Sequence, residues 1–184
     1  MARGRVWIIS GPSGVGKGTV CRELQRSYSA PFYSVSMTTR EPRPTEVDGV
    51  SYHFVSPETF AGLVSAGQFL EFAQVHGSHC YGTPSAPVIE ALAHDRPVIL
   101  EIDLAGARQV KANVPEAHLV FLAPPSWEEL ENRLRGRGTE DEATIQRRLA
   151  TARQELAARH EADHVIVNRS IGETVAALVA LMGL

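Results

Sequence analysis

Residues 11–19 read Gly-Pro-Ser-Gly-Val-Gly-Lys-Gly-Thr and directly follow the apolar run Val6-Trp7-Ile8-Ile9. Glycines at these intervals let a backbone curl until its N–H groups converge, and converging N–H groups make a nest for an anion. Lys17 adds a mobile positive charge beside that nest, and a helix starting near it aims the positive end of its dipole at the same point. The spacing GxxxxGK is that of a loop for the phosphates of a nucleoside triphosphate. Its candidate contacts are Gly11, Pro12, Ser13, Gly14, Val15, Gly16, Lys17, Gly18 and Thr19. Gly18 stands where a hydroxyl residue usually follows the lysine. A Gly-rich strand-to-helix turn with a stray lysine is the competing reading, and the elements on either side of the loop weigh against it.

Three further groups of residues could do chemistry. Arg40 and Arg43 lie three apart in Ser36-Met-Thr-Thr-Arg40-Glu-Pro-Arg43, which prolines stiffen. Such a segment can hold guanidinium forks toward a phosphate, or it can be a solvated basic turn. Glu71 sits in the alternating segment Phe69-Leu-Glu71-Phe72, either facing water on the polar side of a strand or buried for a purpose, since an unpaired buried carboxylate is costly. Arg133 and Arg137 flank a glycine-containing turn, with Arg148 further along a helix. Pattern alone allows a solvated face balanced by Glu140, Asp141 and Glu142. The seven histidines, His53, His76 and His79 among them, show no metal-ligand spacing.

Elements must hold these groups. Val6–Ser10, Val98–Ile102, Leu119–Ala123 and Val165–Val167 are short, nearly continuous apolar runs, as expected of parallel strands buried on both faces and separated by helices. Ser126-Trp-Glu-Glu129 has the form of a capping box, and Ser56-Pro57-Glu58 opens a helix that stops at Gly67. The segments Tyr52–Val55 and Phe69–Val75 alternate instead, predicting half-exposed antiparallel strands in an inserted lobe. A long polar helix is expected from about Asp141 to Arg159, with Ile145, Leu149, Ala152 and Leu156 on one face. With 184 residues the chain supports one sizeable core. A net charge of −3 argues against a general nucleic-acid binder. Cys21 and Cys80 make neither a disulfide framework nor a metal site, and the apolar run before Ser10 is too short for a signal peptide or membrane span. A cytoplasmic protein with free thiols is expected, with no membrane partner.

Taken in order, the loop at 11–17, Ser34-Val-Ser-Met-Thr-Thr-Arg-Glu-Pro-Arg-Pro44, Glu46-Val-Asp-Gly49 with Tyr52, Phe69-Leu-Glu71-Phe72, Tyr81-Gly-Thr83, Ile102-Asp103, Ala123-Pro-Pro-Ser126, Arg133-Leu-Arg-Gly-Arg-Gly-Thr139 and Val165-Ile-Val-Asn168 resemble the guanylate kinase family over nearly the whole chain. The resemblance implies an α/β P-loop nucleoside monophosphate kinase fold. Residues 1–34, 97–125 and 159–184 would form a parallel-sheet core, 35–96 a GMP-binding lobe and 126–158 a helical lid. It implies the reaction ATP + GMP = ADP + GDP, with Mg²⁺ as cofactor. Arg40, Arg43, Tyr52 and Tyr81 would then grip the GMP phosphate, and Ser36, Glu71, Thr83 and Asp103 would line the guanine pocket. Lys17, Arg43, Arg133, Arg137 and Arg148 would be the catalytic charges, and Asn168 would lie near the adenine of ATP.

Some positions depart from the family pattern. Gly-Lys-Gly-Thr resembles adenylate kinases, which implies that Thr19 touches phosphate while nucleotide oxygens and water hold most of the Mg²⁺. Gly77–Gly82 has one more residue before the tyrosine than many members, Glu101 replaces a frequent aspartate, and Arg169 a frequent acidic residue. The enzymatic rival is a related kinase acting on AMP or ribosyl 1,5-bisphosphate. A rival of another class is a guanylate-kinase-like module that recognises phosphorylated peptides.

Overall fold

Every residue of Val6–Ser10 is buried, so this strand must be covered on both faces. In the computed structural model, which describes residues 5–75, 79–136 and 141–184, helices supply that cover. The elements in chain order are β1 (Val6–Ser10), α1 (Lys17–Ser27), β2 (Phe32–Tyr33), β3 (Met37–Thr38), β4 (His53–Phe54), α2 (Pro57–Ser65), β5 (Phe69–Val75), β6 (His79–Pro84) and α3 (Ser85–Ala93). They continue with β7 (Val98–Glu101), α4 (Leu104–Asn113), β8 (His118–Ala123), α5 (Trp127–Arg135), α6 (Glu142–Ala157), a 3-10 turn at Ala158–Glu161, β9 (His164–Val167) and α7 (Ile171–Met182).

Five strands make a parallel sheet in the order β2-β7-β1-β8-β9. Alternate residues of β1 divide the core between the faces. Trp7 and Ile9 join Val20, Leu24, Leu130 and Leu178 on one side, and Ile8 joins Val88, Ala107 and Val110 on the other. Because all five strands run the same way, the segments after their C-terminal ends gather at one edge of the sheet, where α/β proteins bind ligands. β9 is an edge strand with Val165 and Val167 exposed, not buried on both faces as its apolar run predicted.

The inserted lobe is a four-stranded sheet, β4-β3-β6-β5. β5 and β6 are antiparallel as expected, but β4 runs parallel to β3. The excursion from Thr39 to Tyr52, braced by Asp48 pairing with Tyr52, is long enough to return the chain to the starting end of β3. Val88 and Ala91 of α3 lie in the core against the main sheet, so helix 85–93 belongs with the core although the expected lobe ran to residue 96. The free edge of β5 lies against α4. Gln109 accepts from the Phe72 N–H (3.2 Å) and donates to its carbonyl (2.8 Å), and Asn113 donates to the Leu70 carbonyl at 3.0 Å. These carboxamides stand in for the missing strand neighbour and close an edge that would otherwise be open.

Candidate active site

The loop between β1 and α1 adopts a shape that only glycine permits at its two ends. Gly11 has φ +143° and a Cβ there would strike the Leu122 carbonyl, while Gly16 has φ +101° and a Cβ would stand 2.9 Å from Asn168 Nδ2. Ser or Asp side chains cap α2, α4, α5, α6 and α7, but Gly16 offers α1 no capping side chain. The first-turn amides of α1 are therefore left for an anion. Lys17 folds along the loop, donating to the Gly11 carbonyl at 2.5 Å and the Pro12 carbonyl at 3.4 Å.

Four side chains brace this loop from outside it. Asn168 is buried, donates to the Val15 carbonyl at 2.7 Å and accepts from the Thr174 hydroxyl at 2.8 Å. These bonds tie its amide to the phosphate loop at Val15 and to the first turn of α7 at Thr174. Arg133 donates to the Val15 carbonyl (3.3 Å) and to Glu129 (3.0 Å), and Arg148 donates to the Ser13 hydroxyl at 2.6 Å. The bland reading of the lid arginines holds instead for Arg135, which pairs with Glu131 and Glu142, and for Arg147, which bonds Thr144. Arg137 and His76 lie outside the described residues. Glu155, one α6 face along from Arg148, accepts from the Ser13 N–H; burial pushes its carboxyl up and the Lys17 charge opposes this. Its spacing of seven residues from Arg148, beside the Ile145–Leu149–Ala152 stripe, was the available signal.

Gly18 faces two charged side chains: a Cβ there would stand 3.3 Å from Glu101 Oε1 and 3.5 Å from Arg22 Nη1, close contacts that these flexible ends can relieve by yielding a few tenths of an ångström. Glu101 reaches water through the cleft although protein surrounds it. Desolvation raises its pKa, opposed by Lys17, Arg22 and the Cys21 thiol, which donates to it. Thr19 is exposed, and its hydroxyl accepts from Arg22 at 3.4 Å. Both Cys21 and Cys80 are free thiols.

Across the cleft, the lobe assembles an aromatic and cationic cluster. The Arg40 guanidinium makes a bidentate pair with Glu46 (2.9 and 3.0 Å), donates from Nε to the Tyr81 hydroxyl (3.2 Å) and lies 5.5 Å from the Tyr52 ring centre. Its side chain is 13% exposed, which excludes the solvated turn for Arg40, whereas Arg43 is 63% exposed and only 4.0 Å from Glu46. Tyr52 meets Tyr81 edge to face at 5.8 Å. Burial and the Glu101 charge raise the Tyr52 pKa, so its hydroxyl remains a donor at neutral pH. Glu46 is the partner that residue types alone did not single out.

Glu71 is buried at 5% exposure. The Thr83 hydroxyl donates to Oε1 at 2.6 Å and its N–H also donates to the carboxylate. Desolvation, with the nearby Asp103 charge, pushes the Glu71 pKa up to about 7. Thr83, itself fully buried, acts as the support of Glu71, and Asp103 caps α4 by accepting from the Gly106 N–H at 2.7 Å. Ser36 is half-buried just before β3, its carbonyl accepting from His53 N–H at 2.9 Å. Among the described residues no three His, Cys, Asp or Glu side chains come together as a ligand set, and no helix is long and apolar enough to cross a membrane.

The sequence model of the guanylate kinase family matches residues 3–183. Guanylate kinase of Thermobifida fusca is 57% identical over 178 residues, covering 97% of this chain and 90% of that protein. Guanylate kinase of Mycobacterium leprae is 56% identical over 181 residues, covering 98% and 86% respectively. The crystal structure of guanylate kinase from Anaplasma phagocytophilum is similar with a TM-score of 0.83 and 31% identity, over 99% of this chain and 86% of that one. A shikimate kinase from Bacteroides thetaiotaomicron, 16% identical with a TM-score of 0.51, shares the fold alone. Likeness of this extent, running through both the loop of β1 and the lobe that carries Glu71, makes the chain a member of the guanylate kinase family.

Proposed function

We propose that the chain transfers the γ-phosphoryl group of ATP to GMP, giving ADP and GDP, and that the residues gathered at the C-terminal edge of the sheet carry this out. The observation that bears most weight is Glu71, a carboxylate buried within a nucleotide-kinase fold and held by Thr83. Guanine presents N1–H and an exocyclic amine side by side, and a carboxylate accepts from both. Adenine has an acceptor at N1 and nothing at C2, which would leave the buried carboxylate unpaired. A site built on such bonds rejects the analogue lacking them by about 10⁴ to 10⁵.

The phosphates of ATP take the loop amides and Lys17. Arg133 and Arg148, now on the Val15 carbonyl and Ser13 hydroxyl, are close enough to the loop to turn onto the transferring group, with Arg137 as the third lid charge. The GMP phosphate takes Arg40, Arg43, Tyr52 and Tyr81, displacing Glu46 from the Arg40 fork. The acceptor needs no general base, because its second pKa is about 6 and it is mostly ionised at pH 7. Alignment of two anions and cancellation of their repulsion are the chemistry.

Magnesium fits this site as a passenger of ATP. With no hydroxyl at Gly18, the available oxygen donors are the Glu101 carboxylate, which reaches solvent through the cleft, and the Thr19 hydroxyl. Glu101 and Thr19 would help to hold the ion beside the loop, and it would supply positive charge that neutralises the phosphates. Residues 126–158 act as a lid and the β3–β6 sheet as the GMP lobe, both closing to exclude water. Free thiols and these two substrates suit the cytoplasm, with neither nucleic acid nor membrane as a partner.

The test is ADP release from ATP with GMP, dGMP, AMP or no acceptor. GMP-dependent release far above that with AMP is expected, and comparable rates would sink the base assignment. A second expectation concerns pH. Guanine binding needs Glu71 ionised, so GMP affinity falls as pH drops through about 7, approaching tenfold per unit below it. The phosphate of GMP titrates near 6 as well. The profile is therefore compared with that of Glu71→Gln, which lacks the upper step; identical profiles would contradict the assignment.

A further inference from the structure

Glycine in a helix interior is unfavourable by about 1 kcal/mol relative to alanine unless something requires it. Gly62 in α2 and Gly172 in α7 have nothing within 4 Å of the point where a Cβ would stand. Gly106, in the first turn of α4, is different. A Cβ there would lie 2.5 Å from Glu71 Oε2, 3.0 Å from its Cδ and 3.5 Å from Asp103 Oδ1. The helix therefore touches the carboxylate with its backbone. Gly106, Gln109 and Asn113 fall at i, i+3 and i+7, one face of α4, and the last two bind the β5 main chain at Phe72 and Leu70 on either side of Glu71. Carboxamide bonds from α4 to the β5 main chain thus tie helix to strand on both sides of Glu71, so drawing the two apart to admit a methyl group would break them.

We propose that Gly106 is a specificity-positioning residue. Its missing side chain lets α4 close on Glu71, and the carboxylate is held between Gly106 on one side and Thr83 on the other in the one orientation that accepts from guanine N1–H and the exocyclic amine. This rests on the reading of Glu71 as the guanine acceptor. Gly106 itself makes no contact with substrate; it acts through Glu71.

The experiment measures kcat and KM for Gly106→Ala with GMP and with IMP, whose base keeps N1–H but lacks the exocyclic amine. Gly62→Ala and Gly172→Ala serve as helix-glycine controls. In Gly106→Ala the KM for GMP rises about tenfold or more, the preference for GMP over IMP shrinks by a similar factor, and the KM for ATP is unchanged. The controls keep all three values. Shortening the acid in the Gly106→Ala background with Glu71→Asp vacates the space, so Gly106→Ala must cost less in the Glu71→Asp protein than in the parent. ADP-induced thermal stabilisation, read on every variant, shows that the core is folded. A Gly106→Ala enzyme with the parent's GMP-to-IMP preference, or an equal penalty in both backgrounds, overturns the proposal. Should Gly106→Ala fail to fold, recovery of the fold in the double variant is expected, and an unfolded double variant refutes the steric account. If Glu71→Gln keeps the parent's preference for GMP, the reading of Glu71 itself fails. If Glu71→Gln loses it while Gly106→Ala does not, only the role of Gly106 fails.

Discussion

Lys17→Ala lowers kcat by about 10³ while GMP still binds at its parental affinity. The ammonium is seated on the phosphate loop, where it bridges the Gly11 and Pro12 carbonyls. Its loss leaves the amide nest and the start of α1 in place, so the folded core should survive. What disappears is a positive charge that strengthens its hold as negative charge shifts between the two phosphates. Arg133 and Arg148 rest on the Val15 carbonyl and the Ser13 hydroxyl, so neither takes the lysine's seat on the Gly11 and Pro12 carbonyls. Steady-state ADP release together with calorimetric titration of GMP checks the split. A kcat within tenfold of the parent would show that the lysine only positions the loop.

Glu71→Gln is expected to lower kcat/KM for GMP by about 10⁴, with little change for AMP. Glutamine keeps the size of the side chain but offers one acceptor oxygen, and its own N–H₂ then faces the donors of guanine. The same change should stabilise the free protein at high pH. The carboxyl of Glu71 titrates at about 7 in the folded chain against an ordinary 4.5, so folding opposes its ionisation. That penalty is absent below pH 4.5, grows between 4.5 and 7 and is complete above 7, where it is on the order of 3 kcal/mol. Glu71→Gln should therefore melt higher than the parent at pH 8 and at nearly the same temperature near pH 4.5. Equal melting temperatures at pH 8 would mean that the Thr83 bonds already compensate the buried charge.

Much of this arrangement was legible from local chemistry. The apolar runs of β1, β7 and β8 mark the buried parallel strands because such strands have no polar face to show, and Ser56 and Ser126 announce helix starts because their hydroxyls accept first-turn amides. The ordered motifs carried Arg40, Tyr52, Tyr81 and Glu71 to one lobe. Less legible were features set by three-dimensional neighbours. β4 lies parallel to β3 because of the path of the intervening segment, and its two-residue length leaves no pattern to read. Asn168 looks like a polar residue at a strand end, yet Val15 and Thr174, distant and near in sequence, take both ends of its amide. Gly18 reads only as a missing hydroxyl, and nothing in the sequence says that Glu101 and Arg22 face it. Glu46 and Gly106 owe their importance to Arg40 and Glu71, neighbours in space that no spacing rule connects to them.

The bonds from Gln109 and Asn113 to β5 also determine how the lobe can move. They clamp its innermost strand to the core, so a swing of the four-stranded sheet toward the phosphate loop has its fulcrum at this seam. Glu71 stands at this seam and would travel little in such a swing. Arg40 and Tyr52, following β3 and preceding β4, stand two or more strands out, about 10 Å along a lever arm at the usual strand spacing. On the function proposed above, the base would be read while the sheet is still raised, and the grip on the phosphate would be delivered by the far end of the stroke.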